Sequence, residues 1–374
     1  MRINTITCHN VYNYGASLQA YALQRFLEME GHDVHIINYM PKYLSFHYKV
    51  SLYFSKGEYS YKPSLKYWPV KILFAFYRYI RCIRFIPRKK SFDRFTKSYL
   101  NLTRVFRTNK EITKYTPQAD IYIAGSDQIW NSKFMENGND PVFYLTFVNN
   151  KKKISYAASF GATEINQDKS NLILSWLKAL DSISVREQVG RELLSKYGIN
   201  SDVVCDPVFL LNIEEWSKIC VGQSYSKYLL IYNIGPLNDK LIDSAVKIAR
   251  RNGMSVISVL DTYKIDKADA NIENAGPLEF VTLIKNADFV VSNSFHATAF
   301  SIIFHRQFAT YTFNNLNNSS RMVNILNVMK LVDRFELDVN KYFKPIDYNI
   351  VNSELERYRS YGINWLNNQI HNKV

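Results

Sequence analysis

The stretch Asp288–Phe304, DFVVSNSFHATAFSIIF, decides how the rest of the chain is read. Phe289-Val290-Val291 is a short apolar run of the kind that forms a parallel strand buried on both faces. Ser292-Asn293-Ser294 interrupts it with residues that favour turns and helix caps. From His296 onward, Ala299, Phe300, Ile303 and Phe304 recur at helical spacing. The product is a strand-turn-helix unit. A helix that starts after a parallel strand presents unbonded N–H groups and partial positive charge, which suits an anion. His296 lies on its first turn, where it can move protons or add charge. A second reading stands beside this one, a capped helix whose histidine packs on a neighbour.

Units of the same kind precede it. Arg2–Cys8 reads as a strand, the loop His9–Ser17 follows, and Leu18, Ala22, Leu23 and Phe26 mark an amphipathic helix that ends at Gly31. Val34–Ile37 is the next strand, so the chain opens as a doubly wound sheet does. The first loop carries Asn10, Asn13 and Gly15 but no GxGxxG, so a dinucleotide is not indicated. Ligands in such folds bind at the carboxyl ends of strands, where this loop lies. The alternative is that Gly15 serves a tight turn and the asparagines cap the helix. Ala119–Trp130 (ADIYIAGSDQIW) is a strand running into the polar turn Gly125-Ser126-Asp127-Gln128. Ile154–Ala158 and Ile183–Val185 are further strands. The second delivers Arg186 to a strand's carboxyl end, where a guanidinium can grip carboxylate or phosphate in bidentate fashion. Its alternative is an internal ion pair with Glu187 or a nearby acid.

Asp206-Pro207 and a helix start at Asn212–Trp216 place a boundary near residue 213. Strands at Tyr228–Tyr232, Val256–Val259 and Gln307–Tyr311 and helices at Lys240–Arg250 and Pro277–Ile284 then surround the opening stretch. A polar loop at Asn314–Ser320 leads to Arg321 and a helix through Met329. The expected division is a first domain over 1–213 with an insertion at 42–110, a second over 214–345, and a helical tail over 346–374 that folds back over the first. The expected fold class is α/β, with two Rossmann-like doubly wound domains facing a cleft.

Composition adds a partner. Between Lys42 and Lys110 there are 17 Lys and Arg against two acids, Glu58 and Asp93, so this segment carries the whole net charge of +14. Tyrosines and Trp68 are interleaved with its lysines, and Lys71–Ile86 reads as a helix with Arg78, Arg81 and Arg84 along one line. Basic side chains beside aromatic rings suit an anionic membrane surface; the alternative is a solvated helix docked on its own domain. No nucleic-acid recognition module is evident. No window has about 18 uninterrupted apolar residues, and Met1-Arg2 runs straight into a strand instead of a leader. Cys8, Cys82, Cys205 and Cys220 match no zinc or disulfide spacing, which fits a reducing cytoplasm. No acidic metal cluster stands out, so no metal requirement is expected.

The motifs together resemble one family. NVYNYGASLQAYAL (10–23), IAGSDQIWN (123–131), ISYAASFG (154–161), ISVRE (183–187), CDPVFLL (205–211), the opening stretch and SSRMVNILNVMKLVDR (319–334) are similar to the polysaccharide pyruvyl transferases, in consistent order along the chain. Ala297 departs from the glycine more usual after the histidine, and its methyl narrows the helix start. The resemblance implies a GT-B-like fold and transfer of the pyruvyl group of phosphoenolpyruvate to a sugar, as a cyclic ketal, in a polymeric or lipid-pyrophosphate-linked precursor of a capsule, wall or exopolysaccharide. Phosphoenolpyruvate is then the donor substrate, with no further cofactor. The helix start from Ser294 to Thr298 would hold the phosphate with Arg186 and Arg321 as clamps, His296 would transfer the proton or stabilise the departing phosphate, and Asn13, Gly15, Ser126 and Asp127 would face the sugar. Asp127 is either a base or a hydrogen-bond acceptor. His296→Ala and Arg186→Ala are each expected to abolish transfer with the fold intact. A lipid-linked acceptor would bring the enzyme to the inner face of the membrane through residues 42–110. Two rivals remain: a GT-B glycosyltransferase reading a nucleotide-sugar with Glu273 or Glu279, and a non-catalytic binding module.

Overall fold

A computed structural model of the chain describes residues 1–44, 85–133, 136–222, 225–260, 262–312, 320–339 and 344–372. Arg78, Arg81, Arg84 and most of the helix expected at Lys71–Ile86 lie outside the described residues, as does most of the loop from Asn314.

The first half contains β1 (Arg2–Ile6), α1 (Tyr14–Met29), β2 (Asp33–Ile36), a helix described over 85–99 (α2), α3 (Asn109–Lys114), β3 (Ile121–Ala124), β4 (Lys152–Ala158), α4 (Ser170–Lys178), β5 (Ser182–Val185), α5 (Gln188–Ser195) and β6 (Asp202–Val203). Its six strands lie in the order β2-β1-β3-β4-β5-β6. After α6 (Ile213–Lys218) come β7 (Tyr228–Tyr232), α7 (Asp239–Asn252), β8 (Ser255–Val259), β9 (Ala270–Ile272), α8 (Pro277–Asn286), β10 (Phe289–Ser292), α9 (Phe295–Ile303) and β11 (Gln307–Thr310). These five strands lie in the order β11-β10-β7-β8-β9. α10 (Ser320–Val328) and α11 (Tyr348–His371) close the chain.

Every strand pair in both sheets is parallel. Helices cover both faces of such sheets, so the central strands are buried throughout, as IYIA in β3, YLLIY in β7 and FVVS in β10 show. These are two Rossmann-like doubly wound sheets, the fold class expected. In each, strand order reverses at one place, between β1 and β3 and between β7 and β10. Crevices for ligands open at the carboxyl ends of strands at such reversals.

The two carboxyl edges meet. One apolar core runs across both halves and includes Leu18, Phe26, Trp216, Phe280, Phe300 and Trp365. Trp216 anchors it: the ring meets Phe300 edge-on at 4.8 Å, and Nε1 donates to the Val208 carbonyl at 2.9 Å. α11 packs back on the first half, where Trp365 Nε1 donates to Asp202 at 2.9 Å and Arg359 Nε to the Phe209 carbonyl at 2.7 Å. Gly362 makes that approach possible, since a Cβ there would stand 2.5 Å from Cys205 Sγ and 2.8 Å from the Tyr156 hydroxyl. Gly362→Ala should therefore lower stability by about 1–3 kcal/mol through overpacking. Chemical denaturation reads this directly, and an unshifted midpoint would show that α11 can lift away at no cost.

No helix among the described residues is long and apolar enough to cross a membrane.

Candidate active site

Four strands of the first sheet, β3, β4, β5 and β6, hand polar groups to its carboxyl edge. β5 ends at Val185 and delivers Arg186, which is 2% exposed. Its Nε donates to Glu187 Oε1 at 3.1 Å and its Nη1 to Asp206 Oδ2 at 2.6 Å, while Nη2 lies 3.6 Å from Asp127 Oδ1. The guanidinium also sits 5.0 Å over the ring of Phe295, the first residue of α9. Glu187 Oε1 accepts a second bond from Ser159 Oγ at 2.9 Å. Arg186 is thus an ion-pair centre, as the alternative reading of the sequence had it, and Nη2 alone has no hydrogen-bond partner. Burial pulls its pKa down, but Glu187, Asp206 and Asp127 outweigh burial and raise it.

Asp206 follows β6 and is fully buried. Oδ1 accepts from the Val208 amide at 3.1 Å, and Oδ2 faces both Arg186 and His296 Nε2, the latter at 3.7 Å. That is an ion-pair distance, too long for a hydrogen bond. Burial alone would raise the Asp206 pKa; the imidazole and the guanidinium outweigh it and hold the carboxyl well below the usual carboxylate range.

From the second half, Ser294 caps α9 by accepting from the Ala297 amide at 3.4 Å. The Thr298 hydroxyl donates to the Ser294 carbonyl and meets Thr310 Oγ1, both at 3.1 Å. Both side chains are therefore used inside the fold. The amides of Phe295 and His296 have no partner among the described residues. His296 is 8% exposed and its Nε2 has no hydrogen-bond partner. Its other edge lies against Gly15, where any Cβ would overlap the ring at Nδ1 and Cε1. The glycine of the first loop is thus a seat for the histidine of the second half.

Arg321, on the first turn of α10, reaches the turn after β3. With its amide oxygen turned toward the guanidinium, Gln128 accepts from Nη1 at 3.3 Å and from Nη2 at 2.9 Å. Burial and the charge of Arg186 lower the Arg321 pKa, against the opposing pull of Glu187, Asp127 and Asp206. Two guanidiniums from opposite halves therefore share one electrostatic cluster. Asp127, with its side chain 20% exposed, is the most open of the three acids that face Arg186.

The structure thus gathers His296, Arg186, Asp127, Arg321 and Gly15. Ser126 is turned away, its hydroxyl donating to the Ala157 carbonyl at 2.6 Å in a fully buried position. Asn13 is exposed and caps α1, accepting from the Ala16 amide at 3.1 Å. Glu273 pairs with Lys264 at 2.8 Å and Glu279 accepts from the Gly276 amide at 2.9 Å, so both acids are engaged within the second half. Among the described residues no group of three His, Cys, Asp or Glu is placed to hold a metal ion. Asp206 and Gln128 were not singled out from the sequence. The acid's one signal was its place just after a strand among apolar neighbours, in CDPVFLL.

Comparison with known proteins gives three results. Solved structures similar over most of the chain include a UDP-GlcNAc 2-epimerase from Neisseria meningitidis bound to UDP-GlcNAc, 10% identical over 97% of this chain and 93% of that one, with a TM-score of 0.49. The UDP-GlcNAc 2-epimerase of Methanocaldococcus jannaschii is 11% identical over 96% and 93%, at 0.46. A glycosyltransferase of Streptomyces nogalater is 9% identical over 97% and 95%, at 0.40. No curated protein matches the chain. The sequence model of one family does, over residues 13–315, which contain all the clustered residues except Arg321. The chain belongs to the polysaccharide pyruvyl transferase family.

Proposed function

We propose that the enzyme moves the pyruvyl group of phosphoenolpyruvate onto a sugar, as a cyclic ketal, within a cell-surface polysaccharide precursor. The observation that supports this best is the meeting of Arg186, Arg321 and His296 in one cluster where Arg186 Nη2 and His296 Nε2 are buried without hydrogen-bond partners. Unspent buried donors are costly unless a ligand satisfies them. A small molecule with a phosphate and a carboxylate fits that need.

In this reading Arg321 and the open amides at the start of α9 receive the phosphate, and Arg186 Nη2 meets the carboxylate. Arg186 is otherwise committed to its carboxylates, so it serves more to hold the cluster than to clamp. Ser294 and Thr298 shape the helix start instead of touching the donor. His296 Nε2 gives a proton to the enol CH2, which becomes the methyl group. One sugar oxygen bonds to the adjacent carbon and sheds its proton, with Asp127 as acceptor. The carbon–oxygen bond to phosphate then breaks with its electron pair going to phosphate. A second sugar oxygen bonds to the same carbon and passes its proton back to His296 Nε2, closing the ketal and restoring the imidazole's proton, while the proton on Asp127 leaves with the phosphate. The half ending near residue 213 thus forms the acceptor side and the half after it the donor side.

Ligand-dependent melting tests this reading. Phosphoenolpyruvate at about a hundred times its dissociation constant should stabilise the protein by about 2.7 kcal/mol, and mass spectrometry should find a pyruvylated sugar. Stabilisation by UDP- or GDP-sugars alone, without phosphoenolpyruvate, would sink it.

For a lipid-pyrophosphate-linked acceptor, segment 42–110 rests on the anionic cytoplasmic leaflet. Of that segment, α2 exposes Lys90, Arg94 and Lys97. Neutralising these three should weaken flotation with anionic vesicles, each contributing about 1 kcal/mol; unchanged flotation would count against the contact.

A further inference from the structure

His296 is seated by the first turn of α1, so whatever fixes that turn fixes the histidine. The turn is preceded by a loop in which Tyr12 has a φ of 51°, a left-handed conformation that an aromatic residue keeps only under outside constraint. The constraint comes from α2. Asp93 Oδ1 accepts from the Tyr12 hydroxyl at 3.1 Å, and Phe92 meets the Tyr12 ring edge-on at 5.9 Å. Lys89 bonds the other oxygen of Asp93 and lies 5.5 Å over the Tyr12 ring. Phe92 also packs on Tyr14 at 5.1 Å. Tyr14 in turn stacks on Phe280 at 4.3 Å and donates to the Ala275 carbonyl at 2.9 Å. α2 is itself tied to the second half, where Arg88 Nη1 donates to the Leu260 carbonyl at 2.9 Å. Tyr12 and Tyr14, the neighbours of the helix cap Asn13, are thus both gripped by one helix, and Gly15 follows directly.

We propose that Asp93 and Phe92 are positioning residues that hold the first turn of α1 against His296 through Tyr12 and Tyr14. This rests on the reaction proposed above. Neither residue touches the cluster, so their effect passes through backbone placement. A seat shifted by a fraction of an ångström alters where Nε2 points, and misplacement of a reacting group lowers turnover steeply.

Tyr12→Phe removes only the hydroxyl; Asp93→Ala removes its acceptor and, with it, the carboxylate that Lys89 bonds. Each should lower kcat for pyruvyl transfer roughly tenfold, with the KM for phosphoenolpyruvate within about twofold of wild type. The double variant should be no worse than the worse single, because both cut the same link. The imidazole Cε1–H signal of His296, assigned by its loss in His296→Gln, should move in each variant at fixed pH. That signal separates this proposal from the reaction: if wild type turns over no phosphoenolpyruvate, a moved signal keeps the positioning role and sinks the reaction. An unmoved signal overturns the positioning role whatever the turnover, and so does a moved signal with wild-type kcat in an active enzyme.

Discussion

His296→Ala is expected to fold and to lose about 10²–10⁴-fold of its pyruvyl transfer, the range removed with a general acid or base. The side chain makes no hydrogen bond through Nε2, so its removal strands no partner donor. Asp206 loses the imidazole 3.7 Å from Oδ2 but keeps Arg186 at 2.6 Å. The melting temperature should therefore fall little while turnover, followed by mass spectrometry of the ketal, almost vanishes. Gly15→Ala reaches the same end from the other half: the new methyl occupies the space of Nδ1 and Cε1, so the ring must leave its seat. Both variants silent and folded is the expected pair. Turnover within about tenfold of wild type in His296→Ala would remove the proton-transfer role.

Much of this was legible in local pattern. FVVS followed by a serine cap and a helix is a self-contained unit, and Ser294 caps α9 as its sequence position implies. The same logic located β1, β3, β5, β7 and the loops after them, because parallel strands announce themselves as apolar runs with polar exits. β9 was not legible: Ala270-Asn271-Ile272 has no period, and it is a strand because β8 pairs with it and Asn271 bonds back to the Ile265 backbone. α4 was likewise not read from its sequence. At the site, strand ends pointed to Arg186 and the helix start to His296. What no window shows is company. Asp206 looks like the start of an Asp-Pro turn until it faces Arg186 across 20 residues of chain, and Gly15 looks like a turn glycine until a ring from the other half lies on it.

Company also changes what Arg186→Ala should do. The sequence suggested an inactive but intact protein; the structure makes Arg186 part of the core. Its removal leaves Asp206 and Glu187, both buried, without their main counter-charge. Breaking a buried pair from one side costs about 3–5 kcal/mol, because the remaining charge is neither hydrated nor matched. The pH dependence gives the sign. A carboxyl held below its unfolded pKa adds stability that is full above about pH 4 and lost as pH falls through its lower native value. Asp206 is such a group. Without Arg186, burial opposes its charge with much less to offset it, so the variant should be weaker at neutral pH and lose less on acidification than wild type. Denaturant unfolding of both proteins at pH 7 and at about pH 2, below the unfolded carboxylate range, measures this. Equal stability at pH 7 would mean that the carboxylates find water or protons at no cost, and that the ion-pair centre adds nothing to the fold.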